Sequence, residues 1–158
     1  MRRSIRFALV ASLAGAVLVG GTASGEPGGV KLLDASMVGI PAGAAALFPG
    51  VQGGGIPWSL EKGDARLFAD GRLRVSVEGL VFAAGPNVGR NTIPTGQAIV
   101  SCNGGADIVM SGPVPYSVPG GDAEVDAQIA LPASCLGPVV FFAGITGAGP
   151  RWFAVTGR

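Results

Sequence analysis

The chain has 158 residues, with 28 Gly, 12 Pro, only 13% charged residues and no histidine. Gly and Pro at this density exclude a helical domain, because in a helix interior they cost about 1 and about 3 kcal/mol relative to Ala. The missing histidine excludes Ser-His-Asp and Cys-His catalysis and His-bound zinc or copper within this chain. Beyond residue 25, eight basic residues face ten acidic ones, a net charge of −2 without a basic run, so nothing supports nucleic-acid binding.

The first segment is a targeting signal in layout. Arg2, Arg3 and Arg6 lead into an apolar run over residues 7–20, followed by the small residues Gly20-Gly21-Thr22-Ala23-Ser24-Gly25. The run is 14 residues, short of the ~20 a bilayer-spanning helix requires, which disfavours the competing reading of an uncleaved anchor. The pattern predicts a signal peptide over residues 1–25, cleaved after Ala23, Ser24 or Gly25, with no cysteine nearby for lipid attachment. Residues 26–158 are then one exported domain, long enough for a single core. No later stretch is long and apolar enough to span a membrane. Abundant Ala, Gly, Val and Arg with few Lys point to a GC-rich bacterial genome.

A first strand is predicted over residues 30–38. Residues 39–57 read as a long loop, with three Pro and six Gly around Phe48. The clearest element is a hairpin. Residues 65–68 run into Ala69-Asp70-Gly71, and residues 72–78 follow with Leu73, Val75 and Val77 alternating with Arg72, Arg74, Ser76 and Glu78. Strict alternation puts the apolar side chains on one sheet face and the charges on the other, and Asp-Gly supplies the positive φ of a tight turn.

Residues 79–83 extend or bend that strand at Gly79, and a polar loop occupies residues 85–96. Strands are predicted over residues 97–102, 107–110 and 114–118, broken by Asn103-Gly104-Gly105 and Gly112-Pro113. After a turn at Pro119-Gly120-Gly121-Asp122, residues 123–131 alternate again. Ala123, Val125, Ala127, Ile129 and Leu131 face inward; Glu124, Asp126, Gln128 and Ala130 face outward. Residues 138–145 are continuously apolar, as in a central strand buried on both faces, and residues 151–156 form a last strand. Seven to nine short strands with no helical periodicity define an all-β domain, expected as a single antiparallel β-sandwich of Ig-like or Greek-key type.

Cys102 and Cys135 are the only cysteines. In an exported chain the expectation is one structural disulfide, worth about 3.5–4 kcal/mol for a loop of this length. A reactive or metal-binding thiol would lack a histidine to support it.

Chemistry without histidine falls to the carboxylates Glu61, Asp64, Asp70, Glu78, Asp107, Asp122, Glu124 and Asp126. A glycosidase needs two of them across a sugar cleft, usually in a larger, aromatic-rich fold. Asp122-x-Glu124-x-Asp126 invites a calcium reading, but alternate strand positions spread the carboxylates over about 13 Å, whereas calcium needs converging oxygens. A solvated strand face is the simpler reading, so no metal and no cofactor is expected. Arg66, Arg72 and Arg74 are expected to pair across strands with Glu78 or Asp64. Gly53-Gly54-Gly55 lacks the Lys-Ser/Thr of a phosphate loop. Trp58, Trp152 and Phe153 form a possible aromatic platform. Trp152 and Phe153, as neighbours on a strand, point to opposite faces, and only one need be core.

Several segments carry a resemblance: Gly55-Ile56-Pro57-Trp58, Asp70-Gly71-Arg72-Leu73, Val77-Glu78-Gly79-Leu80-Val81, Val100-Ser101-Cys102, Ala133-Ser134-Cys135-Leu136-Gly137-Pro138 and Trp152-Phe153-Ala154-Val155-Thr156-Gly157. Together they resemble small, uncharacterised secreted proteins of high-GC Gram-positive bacteria. The resemblance spans roughly residues 54–157 and implies the compartment, the single disulfide and a β-rich fold, but no activity. The hairpin followed by Glu78-Gly79-Leu80 is also similar to chordin-type secreted β domains, whose histidine motif this chain lacks.

The sequence therefore predicts a secreted, non-catalytic extracellular binding or structural module. Its partner would be an extracellular protein or cell-surface component. The candidate binding surface is the 39–58 loop with the 87–95 loop, and the candidate binding residues are Phe48, Trp58 and Trp152. Two alternatives remain. One is a small-apolar-ligand carrier with a cleft of Phe48, Trp58, Phe82 and Trp152; the other is a secreted protease inhibitor using Pro113-Val114-Pro115 as its exposed loop.

Overall fold

Alternating and continuous apolar segments build two differently packed halves of one sheet. A computed structural model describes residues 29–44 and 48–157, so the predicted signal peptide and its cleavage region lie outside the described residues. The described strands are β1 (Lys31–Gly39), β2 (Trp58–Ser59), β3 (Lys62–Phe68), β4 (Arg72–Glu78), β5 (Val81–Phe82), β6 (Thr95–Cys102), β7 (Asp107–Met110), β8 (Val114–Pro115), β9 (Ala123–Gln128), β10 (Val139–Thr146) and β11 (Gly149–Thr156). A 3-10 turn over Asn103–Gly105 is the only helical element among the described residues.

The all-β expectation holds. Nine strands form one antiparallel sheet in the order β7-β6-β10-β11-β1-β3-β4-β9, with β8 paired to β6 beside that path. The sheet is continuous because β1 serves both halves. Residues from Lys31 to Ser36 pair with β3, with a bulge between Lys31 and Leu33, and Met37, Val38 and Gly39 pair with β11. The sheet curls until β8 touches β9, and the turn between them is tied by Ser117 N–H to the Asp122 carbonyl (2.8 Å).

In the β1-β3-β4-β9 half, Leu67, Leu73, Val75, Val77 and Val125 are buried on one face. The other face carries a charged row in register, Asp34–Arg66–Arg74–Asp126. Arg66 and Arg74 stand directly opposite each other, and each turns to the acid on its outer side: Arg66 Nε lies 3.5 Å from Asp34, and Arg74 Nε 3.3 Å from Asp126. These are exposed pairs, each worth roughly a few tenths of a kcal/mol, so they guide register more than they stabilise.

In the other half β10 is buried on both faces, as its continuous apolar run predicts. The loop after β1 covers one of those faces. Phe48 packs edge-on against Phe141 (4.9 Å) and Trp152 (5.6 Å), and the following residues lie against Gly105 and Ile108. Gly53 also pairs with Trp152.

Several strand boundaries differ from the sequence expectation, and β3, β6 and β11 each begin two or three residues earlier than read. The strand predicted over 114–118 stops at Pro115, because Tyr116 turns inward and its hydroxyl donates to the Leu80 carbonyl at 2.5 Å. The strand predicted over 123–131 ends at Gln128, whose side chain instead donates to the Asp70 carbonyl beside the hairpin turn. The ribbon of β2 with β5 joins the end of a segment read as loop to one read as an extension or bend of the β4 strand.

The Cys102–Cys135 disulfide is present, with the Cα atoms 4.9 Å apart. It ties the end of β6 to the segment entering β10. Asn103, at φ 57°, completes the junction: its Oδ1 accepts from Leu136 N–H (2.9 Å), and its amide donates to the Ser134 carbonyl (2.9 Å). Asn tolerates this left-handed backbone better than most residues.

Candidate functional site

The site begins with Phe153 on β11. Its ring packs against Gly144 of β10, where an added Cβ would stand 2.3 Å from a ring carbon. Gly54 gives way on another side, its missing Cβ 2.8 Å from the same ring. Trp58 stacks on Phe153 at 4.0 Å between centroids with planes 14° apart. Phe82, paired with Trp58 across the β2–β5 ribbon, contacts the indole at 4.1 Å.

The backbone fixes this arrangement. Trp58 N–H donates to the Ile40 carbonyl (2.9 Å), and Ile40 N–H donates to the Phe153 carbonyl (2.8 Å). Gly39 is required here, because a Cβ would sit 2.2 Å from the Trp58 carbonyl oxygen. The 83–94 loop is held to the same centre. Ala83 N–H donates to the Pro57 carbonyl (2.9 Å), and Phe82 N–H to the Arg90 carbonyl (3.2 Å). The fully buried Asn91 anchors the loop's far end, donating to the Ile93 (2.7 Å) and Ser117 (2.8 Å) carbonyls and accepting from Ile93 N–H (2.8 Å).

These elements line an open recess of about 190 Å³. Trp58, Phe82, Ile93 and Phe153 form its apolar walls, Gly54, Gly55 and Ile56 one rim, and Thr146 and Arg151 the other. Arg151 is its single ionic group. Ile56 and Val88, on the two loops, are exposed apolar residues.

The structure separates the predicted aromatic residues. Trp58 lines the recess, whereas Phe48 and Trp152 pack together with Phe141 on the opposite face of β11. Trp152 and Phe153 are both buried, because the 40–53 loop covers one face of β11 and Trp58 covers the other. The Trp152 indole N–H is buried without a hydrogen-bond partner among the described residues. Phe153 was visible as an aromatic neighbour in the sequence. Ile93 and Arg151 were not singled out, although Arg151 lies two positions before Phe153 and so shares its strand face.

The three carboxylates weighed for calcium have separate environments. Asp122 accepts from Gly79 N–H (2.9 Å) and lies 3.1 Å from the Ser117 hydroxyl, which shapes the turn. Glu124 stands beside Ser76, and Asp126 beside Arg74. Asp122 and Glu124 line a groove with Glu78 and Pro115. Among the described residues no three His, Cys, Asp or Glu are grouped to hold a metal ion. Val114–Pro115, the segment weighed as an inhibitory loop, is paired to β6 through Thr95 and Gly96.

Burial first, then the Asp122 carboxylate, pushes the Tyr116 phenol well above its ordinary range. A hydrogen bond from Lys31 holds Asp34 below the usual carboxylate value, and the backbone N–H of Arg72 does the same for Asp70.

Comparison of the chain with protein-family models, curated proteins and solved structures found no match. Among the described residues no helix is long and apolar enough to cross a membrane.

Proposed function

We propose that this is a secreted, non-catalytic β domain of sandwich type that acts by binding, through the recess between the 52–58 and 83–94 segments. The observation that carries this reading is convergence. The two loops nominated from the sequence meet at one apolar recess, on a floor of stacked rings fixed to β11. Binding residues on loops held by a rigid sheet are a common arrangement. A disulfide between the only two cysteines accords with an oxidising extracellular location.

A carrier would enclose its ligand, and pockets that do so run to roughly 300–1,000 Å³. The present recess, about 190 Å³ and open, grips one group of a larger partner instead. The partner on this reading is extracellular and presents an apolar group.

The reading is tested with the neutral fluorophore 1-aminoanthracene and the domain of residues 26–158. Wild type is expected to bind it, and the rim variant Ile56→Asp to bind it at least tenfold more weakly with an unchanged melting temperature. Equal binding by both proteins, or none by wild type, overturns the assignment of this recess.

A further inference from the structure

The recess has a charge asymmetry that defines its ligand more narrowly. Among the described residues, Lys31, Lys62, Arg66, Arg72 and Arg74 each make an ion pair, and all belong to the β1-β3-β4 part of the sheet. Arg90 and Arg151 make none. Of these two, Arg151 lines the recess. No Asp or Glu lines the recess. Among the described residues of a chain with net charge −2 beyond residue 25, an arginine without an ion pair thus stands at the aromatic recess.

Arg151 is also placed for bidentate contact. It is half-buried on β11, and its register partner on β10 is Gly144, so no side chain opposite competes for the guanidinium. Arg151 and Phe153 alternate on one strand and share a face. A guanidinium there stands beside the ring stack, where a planar carboxylate meets its two-pronged donor geometry.

Resting on the reading of the recess as a binding site, we propose that it takes an aromatic carboxylate, its ring against the half-buried Phe82 and Ile93 beside the Trp58–Phe153 stack and its carboxylate on Arg151. The size agrees. A cavity of about 150 Å³ accepts benzene, and this one, at about 190 Å³, has room for a small ring system with its acid group at the open side. The Phe82 ring, half-buried at the wall, favours a flat aromatic partner.

The test is isothermal titration of the domain with 2-naphthoate and with its neutral counterpart 2-naphthalenemethanol, at pH 7 and low salt. Wild type is expected to bind the acid about tenfold more tightly than the alcohol, as one charge-assisted contact allows. Arg151→Met should lower acid affinity to that of the alcohol without changing alcohol binding, and Arg151→Lys should restore part of the preference. Arg66→Gln, which changes a cation outside the recess, should leave both affinities unaltered. Equal binding of acid and alcohol by wild type, or a preference that survives Arg151→Met, overturns the anion assignment while the recess remains an apolar site. Binding of neither compound overturns both.

Discussion

Trp58 and Phe153 lie ring on ring, 4.0 Å apart and 14° from parallel, although one comes from a two-residue ribbon and the other from the centre of the main sheet. Such contacts add about 0.5–1.5 kcal/mol beyond the area they bury. The pair therefore welds the long loop after β1 to β11, and the recess inherits its shape from that weld.

Gly144→Ala tests the weld while leaving both ring residues unmutated. The new Cβ would stand 2.3 Å from the Phe153 ring, forcing it aside at a cost of about 1–3 kcal/mol. The expected result is a lower urea midpoint and an altered near-ultraviolet dichroism band, since the indole of Trp58 loses its stacked neighbour. An unchanged midpoint and spectrum would mean that the stack is not tightly held.

Tyr116 sets the alkaline limit. Its phenol is neutral in the fold and its pKa is raised by burial, so its contribution is complete below the unfolded value of about 10 and is lost as pH rises beyond it. Tyr116→Phe should flatten the fall in stability above about pH 10. At neutral pH it should cost about 1–3 kcal/mol, because the Leu80 carbonyl loses its donor. Denaturant titrations at pH 7 and pH 11 separate the two effects.

The β6–β10 junction rests on a covalent bond and one side chain. Removing both cysteines with Cys102→Ala and Cys135→Ala should cost about 2–5 kcal/mol. Asn103→Ala should cost about 1–3 kcal/mol, since it removes the bonds to Ser134 and Leu136 and places Ala at φ 57°. If Asn103→Ala is neutral in the oxidised protein, the disulfide alone secures the junction.

Processing has its own measurement. The chain recovered from culture medium should have the mass of a protein beginning at residue 24, 25 or 26, two hydrogens lighter than its dithiol form. An intact residue 1 on the secreted protein would remove the signal-peptide assignment.

The sequence made the β3–β4 hairpin legible because its evidence is local. Leu73, Val75 and Val77 alternate with polar residues beside Asp70-Gly71, and the observed register follows that pattern. The double burial of β10 was legible for the same reason, and the disulfide because there were only two cysteines to join. The recess was legible only in part. Its loops could be named, but Ile93 reaches it through pairings between distant segments, which periodicity does not record, and Arg151 was legible only through its two-residue spacing from Phe153. Phe48 and Trp152 were grouped with Trp58 by residue type, whereas the strand's two faces send them elsewhere. The β2–β5 ribbon is two residues per strand, too short for any alternation to announce it.

The position of β1 bears on how the chain reaches this state. It joins the two halves of the sheet, and one of its partners is the last described strand. Almost the whole chain must be available before that pairing can form, and the loop entropy is spent before the contacts repay it. Such high contact order implies slow folding, on the millisecond-to-second scale of all-β domains. A chain stopped short of β11 would leave open edges on both β1 and β10, where another strand could add.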